Sequence, residues 1–531
     1  MLTATATHPH PVRGLGVSET SYRFAPHPGG GIVLGLRPGQ LVGIALGAFG
    51  ALRGLRLGGL GGLALGATVA GLFAGGVLIP IYGRTLEQWI PITIRFGLAQ
   101  FAGRARFRSQ RAQLGHVIRL PTGQLDPQPP QPPDGRPGEL ADIELLEVEL
   151  SRYENARLGV VKDRRAGTFT ATVRVSGHAF SLLDPGDRER ALADYGTVLA
   201  TLARDGTPVR RLAWIERTLP ADADALGNYL LEAKRANASL EDPPDELVSY
   251  LQLIGRAGQV AEEHELLFSL QIDAKRPAGR RAIRRLGGGD LGALAVIAGE
   301  TGQLIELLDA AGLSVTGLLT RAGVAAAIRA GCDPWGHRQR QRQLNVGVRS
   351  DPGISEHTAG PTAREERWGH VATDGALHCT LWVAEWPRLD VRALFLQPLL
   401  MESGVTRSVA MVMELVGPSK AIRRAELAST NVATEQSLRA RVGQRTTSRQ
   451  HKRDEAAQQR ESEVAAGHAA VRYAAYVTVS VAHSPGAGDE LEAAVSRMEL
   501  EAKRALLRLE RMWGQQAEAL TYTLPLARGL L

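Results

Sequence analysis

A nucleotide-binding loop needs GxxxxGK[ST]: its glycines let backbone N–H groups close around phosphates, and its lysine reaches the outer ones. The nearest string here, Gly417-Pro418-Ser419-Lys420, has no glycine at the required distance before a Gly-Lys pair. Pro418 also removes an N–H from any such cradle, so the string reads as a turn into a helix. Gly287–Gly289 before Asp290 is free enough to wrap an anion at a helix start, but no lysine follows and a turn is the plainer reading. Glu262-Glu263-His264-Glu265 is the densest ionisable string; it is not HExxH, and it is expected to lie exposed at a helix–strand junction. Cys332 and Cys379 lack metal-like spacing and read as reduced core thiols. The His/Pro alternation at His8–Pro11 reads as tail. With no GxSxG and no paired carboxylates, the expectation is a non-enzyme with no catalytic, cofactor-binding or metal-binding residue.

The chain is organised instead around Leu41–Tyr82. Leu57–Tyr82 runs 26 residues without a charge, and Pro38–Leu52 gives 15 before Arg53 and Arg56. About 20 helical residues cross a hydrocarbon core, and arginines next to a short first pass can reach back to the interface. A two-helix membrane hairpin is therefore expected. Gly43 and Gly47, then Gly58, Gly62 and Gly66, then Gly71 and Gly75 recur every fourth residue and would let the helices pack closely. A buried Gly/Ala-rich hairpin in a water-soluble fold is the competing reading.

Charge sets the orientation. Residues 1–111 hold 11 Arg against Glu19 and Glu87, which is +9; the chain total is +7, so the rest sums to −2. The basic excess belongs to the flanks of the apolar run, which argues against direct nucleic-acid binding by the body. Arg84, Arg95, Arg104, Arg106, Arg108 and Arg111 follow the second pass, and Arg13, Arg23 and Arg37 precede the first. The positive-inside rule then predicts two passes of the inner (plasma) membrane with both termini cytoplasmic. Gly83–Phe101 reads as an amphipathic helix with Leu86, Trp89, Ile90, Thr93, Gly97 and Phe101 near one face. It is expected along the inner leaflet, with Pro91 kinking it or ending its first turn.

The Gly-rich two-pass segment, the following G-R-x-L-E-x-W and the Arg-Phe helix resemble the PrgI family of conjugation and type IV secretion machines, over residues 22–110.

Residues 1–30 form a His/Pro/Gly-rich tail expected to be disordered, 31–111 the hairpin and interfacial helix, and 112–140 a linker. The linker is a spacer because seven prolines fall within Pro121–Pro137. The remainder reads as α/β (α+β), in two halves that each run hairpin–helix–strand–helix–strand–helix–strand. The first domain spans 141–330. It has a hairpin at Ala156–Val175, a helix at Arg188–Arg204, strands at Pro208–Glu216, His264–Ile272 and Leu313–Thr316, and a helix capped by Asp290. A linker, 331–367, precedes the second domain at 368–531. There a hairpin turns at Asp374–Gly375, helices cover Asp390–Glu402 and Asp489–Met512, and strands cover Ser408–Val416, Tyr473–His483 and Ala519–Leu526. A charged helical insert, 418–470, is either a partner-contacting arm or a solvated hairpin. Tandem duplication is the economical account of the two halves; coincidence among α/β chains is the alternative.

The Asp-Gly hairpin, the charged excursion and the ending Gly514–Leu526 resemble the non-ATPase amino-terminal half of VirB/TraC-type conjugation ATPases. Together the two resemblances imply a non-catalytic inner-membrane component that anchors and docks a separate ATPase and other membrane subunits, in a homo- or hetero-oligomer. An EccE-like subunit of a type VII secretion system shares the layout and is the second reading. A membrane-tethered enzyme is the third.

Overall fold

The computed structural model describes residues 82–109, 137–150, 156–177, 180–220, 262–336, 359–424 and 470–530, with isolated positions elsewhere. The hairpin glycines Gly43, Gly47, Gly58, Gly62, Gly66, Gly71 and Gly75, the linker up to 136, Arg111 and most of the 418–470 insert lie outside the described residues, as does the tail apart from Thr5–Ala6 and Tyr22–Arg23, which pair as a short antiparallel ladder.

Helix α1 (Leu86–Phe101) leads to β1 (Arg106–Arg108). A meander follows: β2 (Ile143–Leu150), β3 (Ala156–Asp163) and β4 (Thr168–Gly177). Helix α2 (Pro185–Leu202) precedes the long strands β5 (Val209–Pro220) and β6 (Glu262–Asp273). Next come α3 (Pro277–Arg285), α4 (Gly289–Ala310), β7 (Leu313–Leu318) and α5 (Arg321–Cys332). The second half holds β8 (Ala363–Glu366), β9 (Val371–Ala372), β10 (Ala376–Glu385), α6 (Gln397–Leu400) and β11 (Arg407–Val416). It ends with β12 (Ala470–Ala482), α7 (Ala487–Arg504), β13 (Arg508–Arg511) and α8 (Gln516–Leu520).

Strands β1 to β13 join one 13-stranded antiparallel sheet in the order β1-β8-β9-β10-β12-β11-β5-β6-β4-β3-β2, with β7 also on β4 and β13 also on β10. From β3 to β9 the order reads the same from either end once the two halves are matched. Hairpin strands lie outermost, and β5 and β11 meet at the centre. They pair over eight residues, from Arg407↔Thr218 to Glu414↔Arg211. The halves therefore share one sheet, and 331–367 does not separate them: α5 ends inside that stretch and β8 begins there.

Alternating side chains put apolar residues on both sheet faces. One face packs under α2, α4 and α7 through Leu202, Ile297, Leu308, Leu491 and Met498. The other packs under α5, α8 and the C-terminal segment through Val324, Ile328, Leu520 and Leu524. Among the described residues, α4 is the one helix long and apolar enough to cross a membrane. Its buried Ala293, Ile297, Leu304 and Leu308 make it a core helix of this face.

Several expectations change. The segment Ala519–Leu526 is no strand: α8 passes into a 3-10 turn (Thr521–Thr523), and the chain then crosses the sheet face. There Gln271 Nε2 donates to Leu526 O at 3.1 Å, and Tyr476 donates to Gly529 O. The helix from Asp489 stops at Arg504, because Leu506 takes φ +58 and β13 begins. Only Gln397–Leu400 of the expected Asp390–Glu402 helix forms. Asp290 sits in the first turn of α4, whose cap is Gly288, and its carboxylate takes Lys162 Nζ at 2.5 Å.

The second face carries a buried polar ladder. His378 Nδ1 lies 2.8 Å from Ser480 Oγ, and its Nε2 lies 2.9 Å from Thr373 Oγ1 and 3.0 Å from Cys332 O. Burial lowers its pKa to about 4. Protonation is thus easier in the unfolded chain, so stability is full above the ordinary histidine pKa and falls as pH drops from about 6.5 to about 4. The loss should reach on the order of 3 kcal/mol. His378→Gln should flatten urea-denaturation stability across that window; an unchanged pH profile would assign the acid sensitivity elsewhere.

Candidate functional site

The sequence-predicted interfacial helix is where the structure says most. Thr85 opens α1, its N–H donating to Gln88 Oε1 at 3.1 Å. Helix continues through Pro91 to Phe101, so the expected ending of the first turn does not occur. Proline at that position leaves the carbonyl four residues back without its helical donor.

One face of α1 is clamped to the body. Trp89 stacks on Trp368 at 6.0 Å between centroids, and Phe96 meets the same indole edge-on at 5.0 Å. Ile92 is buried, and Gly514, at φ +67, gives Trp368 and Ile92 the space a Cβ would take. Polar contacts frame this seat. Arg84 Nη1 donates to Gln515 Oε1 at 2.8 Å while its guanidinium lies 5.7 Å from the Trp382 ring. Arg95 pairs with Glu518 at 2.8 Å, and Gln100 Nε2 donates to Glu366 O at 3.0 Å. Burial lowers the Arg84 pKa. Beyond α1, β1 pairs antiparallel with β8, and Arg364 Nη2 donates to the Arg104 carbonyl at 2.7 Å.

The opposite face is bare and apolar. Ile90, Ile94, Leu98 and Phe101 are all exposed, rising to 94% at Phe101. Spacings of four, four and three residues put them in one stripe along about 16 Å of helix. Arg104, Arg106 and Arg108 follow it, also exposed. Helix α1 therefore has two apolar faces, one seated on protein and one open. The expected single face divides between them: Trp89 turns inward, while Ile90, Thr93, Gly97 and Phe101 turn outward. The arginine set divides too. Arg84 and Arg95 bind the body, Arg106 pairs with Glu365 at 3.4 Å, and Arg104 and Arg108 stay exposed beside it. The inward face of Trp368 has no signal in the local sequence around α1, because it lies hundreds of residues away.

The other strings with chemical potential are occupied locally. Ser419 donates its N–H to Asp205 Oδ2 at 3.2 Å, and its hydroxyl meets the same carboxylate. A carboxylate thus fills the position where a phosphate cradle would require an anion. His264 Nδ1 lies 2.8 Å from Glu216 Oε1, which raises its pKa, and Glu265 takes Arg174 at 2.7 Å. Burial pushes the Cys332 and Cys379 thiols up to about 12, away from thiolate chemistry. Among the described residues no cluster of His, Cys, Asp and Glu gathers as a metal site.

No protein-family model and no curated protein matches this sequence.

Proposed function

We propose that this protein is a non-catalytic, membrane-anchored scaffold. The apolar Leu41–Tyr82 segment holds the bilayer, and α1 converts that hold into a fixed attitude of the body. The observation that carries this reading is the bare Ile90–Ile94–Leu98–Phe101 stripe, on a helix clamped to the body and placed directly after the longest apolar run. Each such side chain gains roughly 1.5–3 kcal/mol when removed from water. A stripe left bare in water and followed by arginines fits the acyl–headgroup boundary.

In this reading the two α/β halves arose by tandem duplication and fused through β5 and β11, as the mirrored strand order supports. The fused sheet is the platform on which a separate ATPase and neighbouring membrane subunits of a type IV-secretion-like or conjugation-like machine dock, in line with the sequence resemblances. An EccE-like role in a type VII system shares every feature used here except the partner's identity.

Alkaline carbonate washing of membranes from cells expressing the full chain tests the anchor. The protein is expected to stay in the pellet, and its release to the supernatant would refute the proposal. Purification in mild detergent should bring down an ATPase and membrane subunits. Saturable ATP binding by the purified chain itself would instead favour the membrane-tethered enzyme.

A further inference from the structure

The antiparallel register fixes which strand ends share a rim of the sheet. Val209 pairs with Ile272, Val416 pairs with Ala470, and Glu414 pairs with Arg211. So β5 and β12 begin, and β6 and β11 end, at one rim. Trp382↔Tyr476 places the C-terminal end of β10 toward the same rim. Gly83, just past the apolar run, lies against Trp382, Ala384 and Glu510 there. The chain therefore comes off its apolar segment at this rim.

This rim is cationic. Arg210, Arg276 and Arg472 share the carboxylates of Asp273 and Glu414. Helix α3 stands above them with Gly279 and Ile283 buried and Arg280, Arg281, Arg284 and Arg285 exposed. These four have no carboxylate partner among the described residues. At 100° per residue they span one face of a helix about 13 Å long. Beyond them a turn of three positive-φ glycines, Gly287–Gly289, presents Leu286 at 53% exposure and Leu291 at 81%. The opposite rim carries Glu262 and Glu263, with Glu265 there paired to Arg174 and Arg217.

We infer that the α3 face and its leucine-bearing turn form a second membrane contact, in which the arginines bind anionic lipid headgroups and Leu286 and Leu291 dip between them. Two observations favour lipid over nucleic acid. Residues 275–291 contain no aromatic side chain on which a base could stack. The most exposed groups beside the arginines are leucines, which match acyl chains and not phosphodiester. In placing a bilayer at this rim the inference rests on the anchored reading above.

The test uses the full chain with Leu291→Cys carrying an environment-sensitive dye; the native Cys332 and Cys379 are buried, and the unsubstituted protein controls for their labelling. With vesicles holding about one third phosphatidylglycerol, the dye should shift to the blue and be quenched by spin-labelled lipid; with phosphatidylcholine alone it should not. High salt, or Arg280→Gln with Arg281→Gln, Arg284→Gln and Arg285→Gln, should abolish the shift. Each arginine is expected to contribute about fivefold to the contact equilibrium. Emission indifferent to lipid charge overturns the inference, as does duplex-DNA binding that the four substitutions remove while the dye never senses lipid. Flotation keeps the two readings apart. Failure to float with neutral vesicles counts against the anchor, whereas floating with a dye blind to lipid charge counts only against the α3 contact.

Discussion

Trp368→Ala is expected to free α1 from the body and lower stability by about 3–4 kcal/mol. The indole is the common partner of Trp89 and Phe96, and Gly514 packs against its edge. Truncation thus removes two aromatic pairs, each worth about 0.5–1.5 kcal/mol beyond its burial, and opens a cavity beside Ile92. Trp368→Phe should keep part of the stack and cost less than half as much. Urea denaturation gives the stability change, and limited trypsinolysis reports the helix. Arg95, held by Glu518 in the native protein, should become a fast cleavage site in the alanine variant and stay slow in the phenylalanine one. Equal cleavage in all three proteins would mean that α1 is held by β1–β8 pairing instead, and the account of how the anchor is coupled to the body would fail. A loosened α1 should leave membrane attachment intact, since the apolar segment precedes it, while uncoupling the body's attitude from the bilayer.

The parts legible in the sequence are those whose signals are local. The Asp374–Gly375 turn sits between β9 and β10 as its dipeptide demands, with Ala372↔Leu377 closing the hairpin. The turn at Arg164–Gly167 likewise closes with Asp163↔Thr168. Strand β2 carries a weaker local signal, since in Ile143–Leu150 acidic residues at 144, 147 and 149 fall between apolar ones but Leu145–Leu146 interrupts the alternation. Helix α5 also carries a local mark, Thr320 accepting from Gly323 N at 3.1 Å, ahead of an alanine-rich run. What could not be read is what long-range pairing decides. Ala519–Leu526 has strand-like composition, but the strands it lies over, β10, β12 and β11, are already flanked on both sides, so the segment packs across the face. Similarly, the amphipathic reading of α1 counted one apolar face because the second becomes visible only once Trp368 lies against it.

Removing the charge of Glu265 is expected to cost more than removing the arginine it neutralises. Arg217 is fully buried, donates Nη1 to Ala327 O at 2.9 Å, and has Glu265 Oε2 at 3.5 Å. Burial lowers its pKa, with the Glu265 charge opposing that shift. Glu265→Gln leaves a guanidinium in the interior without its counter-charge, a defect that typically costs about 3–5 kcal/mol. In Arg217→Met the apolar side chain fills the space beside Leu524 and Gly331, and Glu265 keeps Arg174, whose Nη2 lies 2.7 Å away at the solvent margin. That variant should therefore lose no more than about 1–2 kcal/mol, and the double variant should lie close to the methionine variant and not at the sum of the singles. Paired urea titrations at neutral pH separate the outcomes. If Arg217→Met is the more damaging change, the arginine acts through its hydrogen bond to α5 and not as a charge awaiting a partner. The distinction bears on the scaffold itself, because Arg217 ties α5 to the central strand β5, through which the two halves of the sheet are joined.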